Sequence, residues 1–87
     1  MYQTIATWDT QPDPAEITDI LDPKVAEMQA AGLTDGVSTL IWPGDEGILP
    51  VGFRRNWTTE SAAQEFKTFV ETSIVTSPPI SVVVSAV

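Results

Sequence analysis

Alternating polar and apolar positions predict four β-strands in this chain. The first covers Tyr2–Trp8, the second Val37–Trp42, the third Ile48–Phe53 and the last Ile80–Ala86. The segment 43–47, with the sequence Pro-Gly-Asp-Glu-Gly, has the composition of a hairpin loop. We therefore expect the second and third strands to pair with each other directly.

Two start signals predict the first helix. Asp13 and Pro14 supply an N-cap and a first-turn proline, and Asp22 and Pro23 repeat the combination. Proline in a helix interior costs about 3 kcal/mol, so we expect a short first turn and then a main helix that starts at Pro23. Gly32 is the expected C-terminal stop.

The second helix has the clearest pattern in the chain. We expect Thr58 to cap it, which makes Trp57 and Ala62 a hydrophobic staple around its first turn. The apolar positions that follow recur with a period of 3.6 residues. They are Ala62, Ala63, Phe66, Phe69, Val70 and Ile74.

The order of these elements is β-α-β-β-α-β, in a single domain that spans residues 1–87. With right-handed crossovers, that order predicts an α+β fold. We expect a ferredoxin-like sandwich, in which a four-stranded antiparallel sheet carries two helices on one face and leaves the other face open.

The last strand predicts what the open face does. Ser81, Val83, Ser85 and Val87 point away from the helices if the other positions of the strand face the core. This set is too apolar for a freely solvated face, so we expect it to meet a second subunit in a homodimer.

Two missing residue types restrict the chemistry. The chain contains no cysteine, which excludes disulfides, thiolate metal sites and a cysteine nucleophile. It contains no histidine, the commonest general base and a frequent metal ligand. We therefore expect neither catalysis nor a cofactor.

The net charge of −8 narrows the classes of partner. A nucleic-acid backbone and an anionic membrane surface would both be repelled by it. The start of the chain shows no signal-peptide pattern, and no apolar run approaches the roughly 20 residues needed to span a bilayer. We expect a cytoplasmic protein, in the host cytoplasm if the chain is viral, or a component of a virion assembly.

Arg54 and Arg55 are two of only four basic residues. They lie just before a helix N-terminus, where an anion could bind. Neighbouring residues of a strand face opposite sides, however, so at most one of the two is expected to contact a partner. We expect that residue to be Arg55, on the same strand face as Trp57. The alternative is that one arginine pairs with a carboxylate such as Glu60, Glu65 or an acid of the first helix, while the other only extends along the surface.

Three tryptophans are many for a short chain. Trp57 is expected to staple its helix, while Trp8 and Trp42 end the first two strands. The latter two could line a shallow aromatic cleft, or they could be core or interface residues.

Loop acids offer a weaker possibility. Asp9, Asp13, Asp45 and Glu46 all lie outside the predicted strands and could bind a divalent cation. Their spacing does not match a calcium loop, and capping accounts for Asp13, so we predict no metal site.

The run from Arg55 to Val70 resembles the second half of small uncharacterised proteins of tailed phages. The residues that carry this likeness are Arg55, Trp57, Ala62, Ala63, Glu65, Phe66, Phe69 and Val70. The predicted element order also resembles the dimeric α+β barrel proteins, which pair the open faces of two ferredoxin-like sheets. The second resemblance implies a homodimer, but it transfers no active site because this chain has no histidine.

Two functions are consistent with these sequence features. The first is a non-catalytic, acidic interaction protein that self-associates through its sheet and meets an unidentified protein partner, as a phage-encoded accessory or inhibitory protein would. The alternative is a small-molecule-binding or enzyme-like barrel with a cavity near Trp8, Trp42 and Arg54. A cavity that brings these three side chains together would favour the alternative.

Overall fold

The computed structural model describes residues 1–10, 12–34, 38–41 and 51–87. Within these ranges, six elements follow one another in the order that the pattern predicts. They are β1 (Tyr2–Trp8), α1 (Pro14–Ala30), β2 (Ser38–Ile41), β3 (Val51–Trp57), α2 (Glu60–Ser73) and β4 (Ser81–Ala86).

The described sheet is antiparallel, and β1 lies between β3 and β4. β1 pairs with β3 from Tyr2–Trp57 to Trp8–Val51, and with β4 from Tyr2–Ala86 to Thr7–Ser81. The four described residues of β2 pair with β3, which gives the order β2-β3-β1-β4 for the described strands.

The predicted ferredoxin-like sandwich needs correction. Among the described residues, the layer beneath the helices consists of three strands, β3-β1-β4, and the described part of β2, Ser38–Ile41, adds four residues at the β3 edge. α2 lies close to all three long strands, whereas the close neighbour of α1 is α2. The two helices therefore do not cover a four-stranded sheet equally.

The expected break in α1 at Pro23 is wrong, because α1 is continuous from Pro14 to Ala30. Asp13 caps it as predicted, with a carboxylate oxygen that accepts a hydrogen bond from the Ala15 N–H at 3.0 Å. Buried residues lie on both sides of the proline, Leu21 before it and Met28 after it. Their burial stabilises a continuous helix, because a chain that broke at Pro23 would expose one of them.

Gly32 ends α1 as predicted. Its φ of 75° lies in the left-handed region that favours glycine. The Gly32 N–H donates to the Gln29 carbonyl and the Leu33 N–H to the Met28 carbonyl, both at 3.0 Å. These two bonds form a Schellman motif, which satisfies carbonyls that the helix end leaves without partners.

α2 begins one residue later than predicted. Thr59 is the N-cap, and its Oγ1 accepts a hydrogen bond from the Ala62 N–H at 3.1 Å. Thr58 is used differently, since its N–H and its hydroxyl both donate to the Leu33 carbonyl, at 2.9 and 3.3 Å. With Thr59 as the N-cap, Trp57 is the last residue of β3 and lies two residues before the cap. Trp57 and Ala62 therefore do not occupy the positions of the predicted hydrophobic staple.

The strand limits also shift. β3 runs to Trp57 instead of ending at Phe53, because its pairing with β1 continues to Tyr2. β4 begins at Ser81 instead of Ile80. The predicted limits of the second strand, the start of the third and the hairpin loop between them fall at residues outside the described ranges.

Candidate interaction site

The register divides the sheet into two faces. Thr4, Ala6 and Trp8 of β1 are buried and define the helix-covered face. Gln3, Ile5 and Thr7 alternate with them and define the open face. Residues that are paired across neighbouring strands point to the same side, so these six residues assign β3 and β4 as well.

Arg54 and Arg55 are separated by this alternation. Arg54 is exposed and pairs with Ile5, so it lies on the open face. Arg55 is half-buried and pairs with Thr4, so it lies on the helix-covered face, which it shares with Trp57. Arg55 is predicted to contact a partner on the strand face that it shares with Trp57. The structure places that face under the helices and makes Arg54 the more exposed of the two, while the partner contact itself stays a prediction.

Trp8 is a core residue. It is almost fully buried, its indole Nε1–H donates to the Ser77 carbonyl at 2.7 Å, and its ring lies 6.0 Å from that of Phe53. Its hydrogen bond fastens the segment that leads into β4. Trp8 and Arg54 lie on opposite faces of the sheet, so they do not line one cavity; Trp42, the third residue of the predicted cleft, lies outside the described residues.

Trp57 joins the sheet to α2 through a buried hydrogen-bond chain. Its Nε1–H donates to the Thr4 Oγ1 at 3.1 Å, and the Thr4 hydroxyl donates to the Ala63 carbonyl at 2.9 Å. The Trp57 ring packs on Phe66 at a centroid distance of 4.8 Å. Both donors are satisfied in the core, so this tryptophan is a structural residue and offers no surface to a ligand.

Lys24 of α1 bridges the two described helices. Its Nζ lies 2.9 Å from a Glu65 carboxylate oxygen and 3.7 Å from one of Glu27, and only 18% of its side chain is exposed. It also lies 5.7 Å from the centre of the Phe69 ring. The hydrogen bond to Glu65 raises the pKa of Lys24 above its ordinary value of 10.5, and partial burial opposes that shift.

The predicted interface residues of the last strand are all exposed. Ser81, Val83 and Ser85 pair with Thr7, Ile5 and Gln3, which places them on the open face. Val87 follows the strand, and its N–H donates to the Met1 carbonyl at 2.9 Å.

Exposed apolar side chains concentrate at β4. Among the residues that the structure describes, the exposed large hydrophobic side chains have exposures between 47% and 74%. They are Met1, Val75, Ile80, Val83 and Val87. Val83 belongs to β4, Ile80 and Val87 flank it, and Met1 lies beside Val87, whereas Val75 follows α2. We call Met1, Ile80, β4 and Val87 the β4 patch.

The β4 patch lies almost wholly in an uncharged part of an acidic chain. Residues 72–87 include no Asp, Glu, Lys or Arg, although the whole chain has a net charge of −8. The absence of charge is visible in the sequence, whereas the alternation within the strand points to Ser81, Val83, Ser85 and Val87 and does not reveal the exposed Ile80.

The described residues provide no other obvious chemistry. Within residues 1–10, 12–34, 38–41 and 51–87, no three acidic side chains come together as metal ligands could. Asp9 and Asp13 are therefore not part of such a group, while Asp45 and Glu46 fall outside these ranges. Nor does any helix in the described part of the chain have the length and apolar character to cross a bilayer.

Comparison with known proteins adds no functional assignment. No family model, no curated protein and no solved structure matches this chain. The resemblances to phage proteins and to dimeric barrels remain predictions from the residues that carry them.

Proposed function

We propose that the protein is a non-catalytic interaction protein that self-associates through its sheet. The observation that supports this proposal is the β4 patch, where exposed apolar side chains gather on an uncharged segment. Contiguous exposed apolar surface is characteristic of interaction sites in soluble domains. An uncharged segment is also where two copies of a strongly acidic chain can approach with the least repulsion.

The cavity-based alternative is not supported by the described geometry. Trp8 is enclosed in the core, and Arg54 lies on the other side of the sheet. Trp8 lies on β1 and Arg54 on β3, with their side chains on opposite faces, so one binding site on one face of the sheet cannot include both.

The acidic surface suggests a second contact, with a basic protein partner. The described part of α1 alone carries Glu16, Asp19, Asp22 and Glu27 against the single base Lys24. The resemblance of the Arg55–Val70 run to tailed-phage proteins is the basis for proposing an accessory or inhibitory role. Such a protein would act in the host cytoplasm or within a virion assembly.

Self-association can be tested by sedimentation equilibrium over roughly 1–100 µM, a range suited to dissociation constants near a micromolar. We expect the mass to rise from that of the 9.4 kDa chain towards twice that value. Val83→Glu should weaken association by at least about tenfold, because it places a like charge in each copy of the proposed contact.

Gln64→Glu is the matched control, since it adds the same charge at an exposed position of α2. It should change the dissociation constant much less than Val83→Glu does. A mass that stays at one chain across the whole range would overturn the proposal.

A further inference from the structure

The outer edge of β4 offers unpaired backbone groups in the described sheet. Met1 and Val87 face each other in the β1–β4 register, and the Val87 N–H donates to the Met1 carbonyl. In an antiparallel ladder, directly bonded pairs alternate with non-bonded ones. The backbone groups of Ser81, Val83 and Ser85 therefore point to β1, and those of Val82, Val84 and Ala86 point outward.

The sequence of this edge contains none of the features that usually prevent strand addition. Natural edge strands are protected by charged residues, especially lysine, by proline or by a bulge. β4 has the sequence Ser-Val-Val-Val-Ser-Ala, without charge or proline, and it pairs in unbroken register with β1. Its branched side chains favour extended structure.

We propose that two copies of this chain pair β4 with β4, antiparallel, about a two-fold axis that passes beside Val84. This rests on the self-association proposed above and specifies how it occurs. Val84 of one copy then pairs with Val84 of the second copy, and Val82 pairs with Ala86 of the second copy. Each of these residues contributes one N–H and one C=O, so the two copies exchange about six backbone hydrogen bonds.

The same register accounts for the exposed apolar side chains. It places Val83 opposite Ser85 of the second copy, with the two Val83 side chains as diagonal neighbours on the open face. Ile5, which pairs with Val83 within each chain, continues this apolar row on both sides. The occupant is a second copy because the edge is uncharged and its outward groups match their own two-fold image.

Hydrogen exchange on the unmodified chain tests the edge directly. We expect the amides of Val82, Val84 and Ala86 to become at least tenfold more protected when the concentration is raised from monomeric to dimeric conditions. The amides of Ser81, Val83 and Ser85 are internal controls, because they are directed at β1 in either state.

Cysteine variants test the register, since the native chain contains no cysteine. Two residues that share a bonded antiparallel pair have Cα atoms about 5.5 Å apart, a distance that a disulfide spans. Val84→Cys should therefore form a disulfide-linked dimer under mild oxidation. Val82→Cys is the control, because position 82 of one copy and position 82 of the second copy are offset by four residues along the paired strands, about 13 Å.

Each outcome has a distinct meaning. A dimer whose three edge amides gain no protection would overturn β4 pairing and leave self-association through the sheet intact. Cross-linking of Val82→Cys in preference to Val84→Cys would overturn the register. A chain that remains monomeric at every concentration would overturn both proposals.

Discussion

The two helices of this protein are held in place in different ways. α2 lies directly on the three long strands and buries Ala62, Ala63, Phe66 and Val70 against them. α1 is longer, at 17 residues against 14, yet its close neighbour is α2. It includes a proline in its interior, and a lysine links it to α2.

The difference shows what determines the length and continuity of a helix when its local sequence is ambiguous. In α2 the apolar stripe, the cap and the position on the sheet all agree, so local and tertiary preferences reinforce each other. In α1 the local preference for a break at Pro23 is overridden by burial on both sides of it. The three predictions that follow test this contrast, beginning with the largest expected effect.

Thr4→Val should destabilise the contact between α2 and the sheet by about 2 kcal/mol, because it leaves the buried Trp57 indole N–H without an acceptor. The Ala63 carbonyl also loses the hydroxyl that bonds it to β1. Valine keeps the shape of threonine, so the loss should reflect hydrogen bonding and not a cavity. Urea unfolding would measure the change in the free energy of unfolding.

Thr7→Val is the matched control on the same strand. Thr7 lies on the open face and is only half-buried, so the change should stay within about 0.5 kcal/mol. Equal losses for the two variants would show that the Thr4 hydrogen-bond chain does not fasten α2.

The contrast between the helices also explains which features the sequence could predict. The stripe of α2 was predictable because one period accounts for every buried position. The end of α1 was predictable because Gly32 can adopt a positive φ without strain. Both signals are local, and both are confirmed.

Features that depend on distant partners were missed. The continuation of β3 through Arg54 and Arg55 depends on pairing with β1, which no local pattern reveals. Thr4 gave no sign of its bond to Ala63, 59 residues away. Which face of the sheet each arginine occupies follows from the same pairing, which places Arg54 on the open face and Arg55 on the helix-covered face.

Gly52 is another residue whose role depends on such pairing. A Cβ at this position would clash with the Ala6 carbonyl oxygen, so β1 and β3 can approach there only because the side chain is absent. The segment was expected to be a strand, but the close contact that requires glycine could not be read from it.

Pro23→Ala should stabilise the protein by about 1 kcal/mol, since alanine restores a backbone N–H and removes the ring from the helix interior. The gain falls short of the full proline penalty because alanine also gives the unfolded chain more freedom. Pro23 is exposed, so its replacement should not disturb the core. The midpoint of urea unfolding would report the change.

Gln29→Ala is the control, because it alters an exposed α1 position without changing the backbone donors. Its effect should stay within about 0.5 kcal/mol. A clear loss of stability for Pro23→Ala would mean that the packing of α1 requires the geometry that proline imposes.

The smallest expected effect concerns the link between the helices at high pH. The Glu65 hydrogen bond raises the pKa of Lys24 in the folded state, so the protonated form is favoured by folding. The resulting stability is fully present below the unfolded pKa of 10.5 and is lost as the pH rises through the higher folded value.

Lys24→Gln should therefore remove part of the alkaline loss of stability between about pH 9 and pH 12. Lys67→Gln is the matched control, since Lys67 pairs with Glu71 on α2 itself, at 4.0 Å, and does not join the helices in that pair. Unfolding free energies of the three proteins, measured at each pH, give the comparison. If Lys24→Gln follows the native profile, the bridge from α1 to Glu65 contributes nothing measurable. Burial of the apolar side chains of α1, Ile17, Leu21 and Met28 among them, would then account for its position against α2.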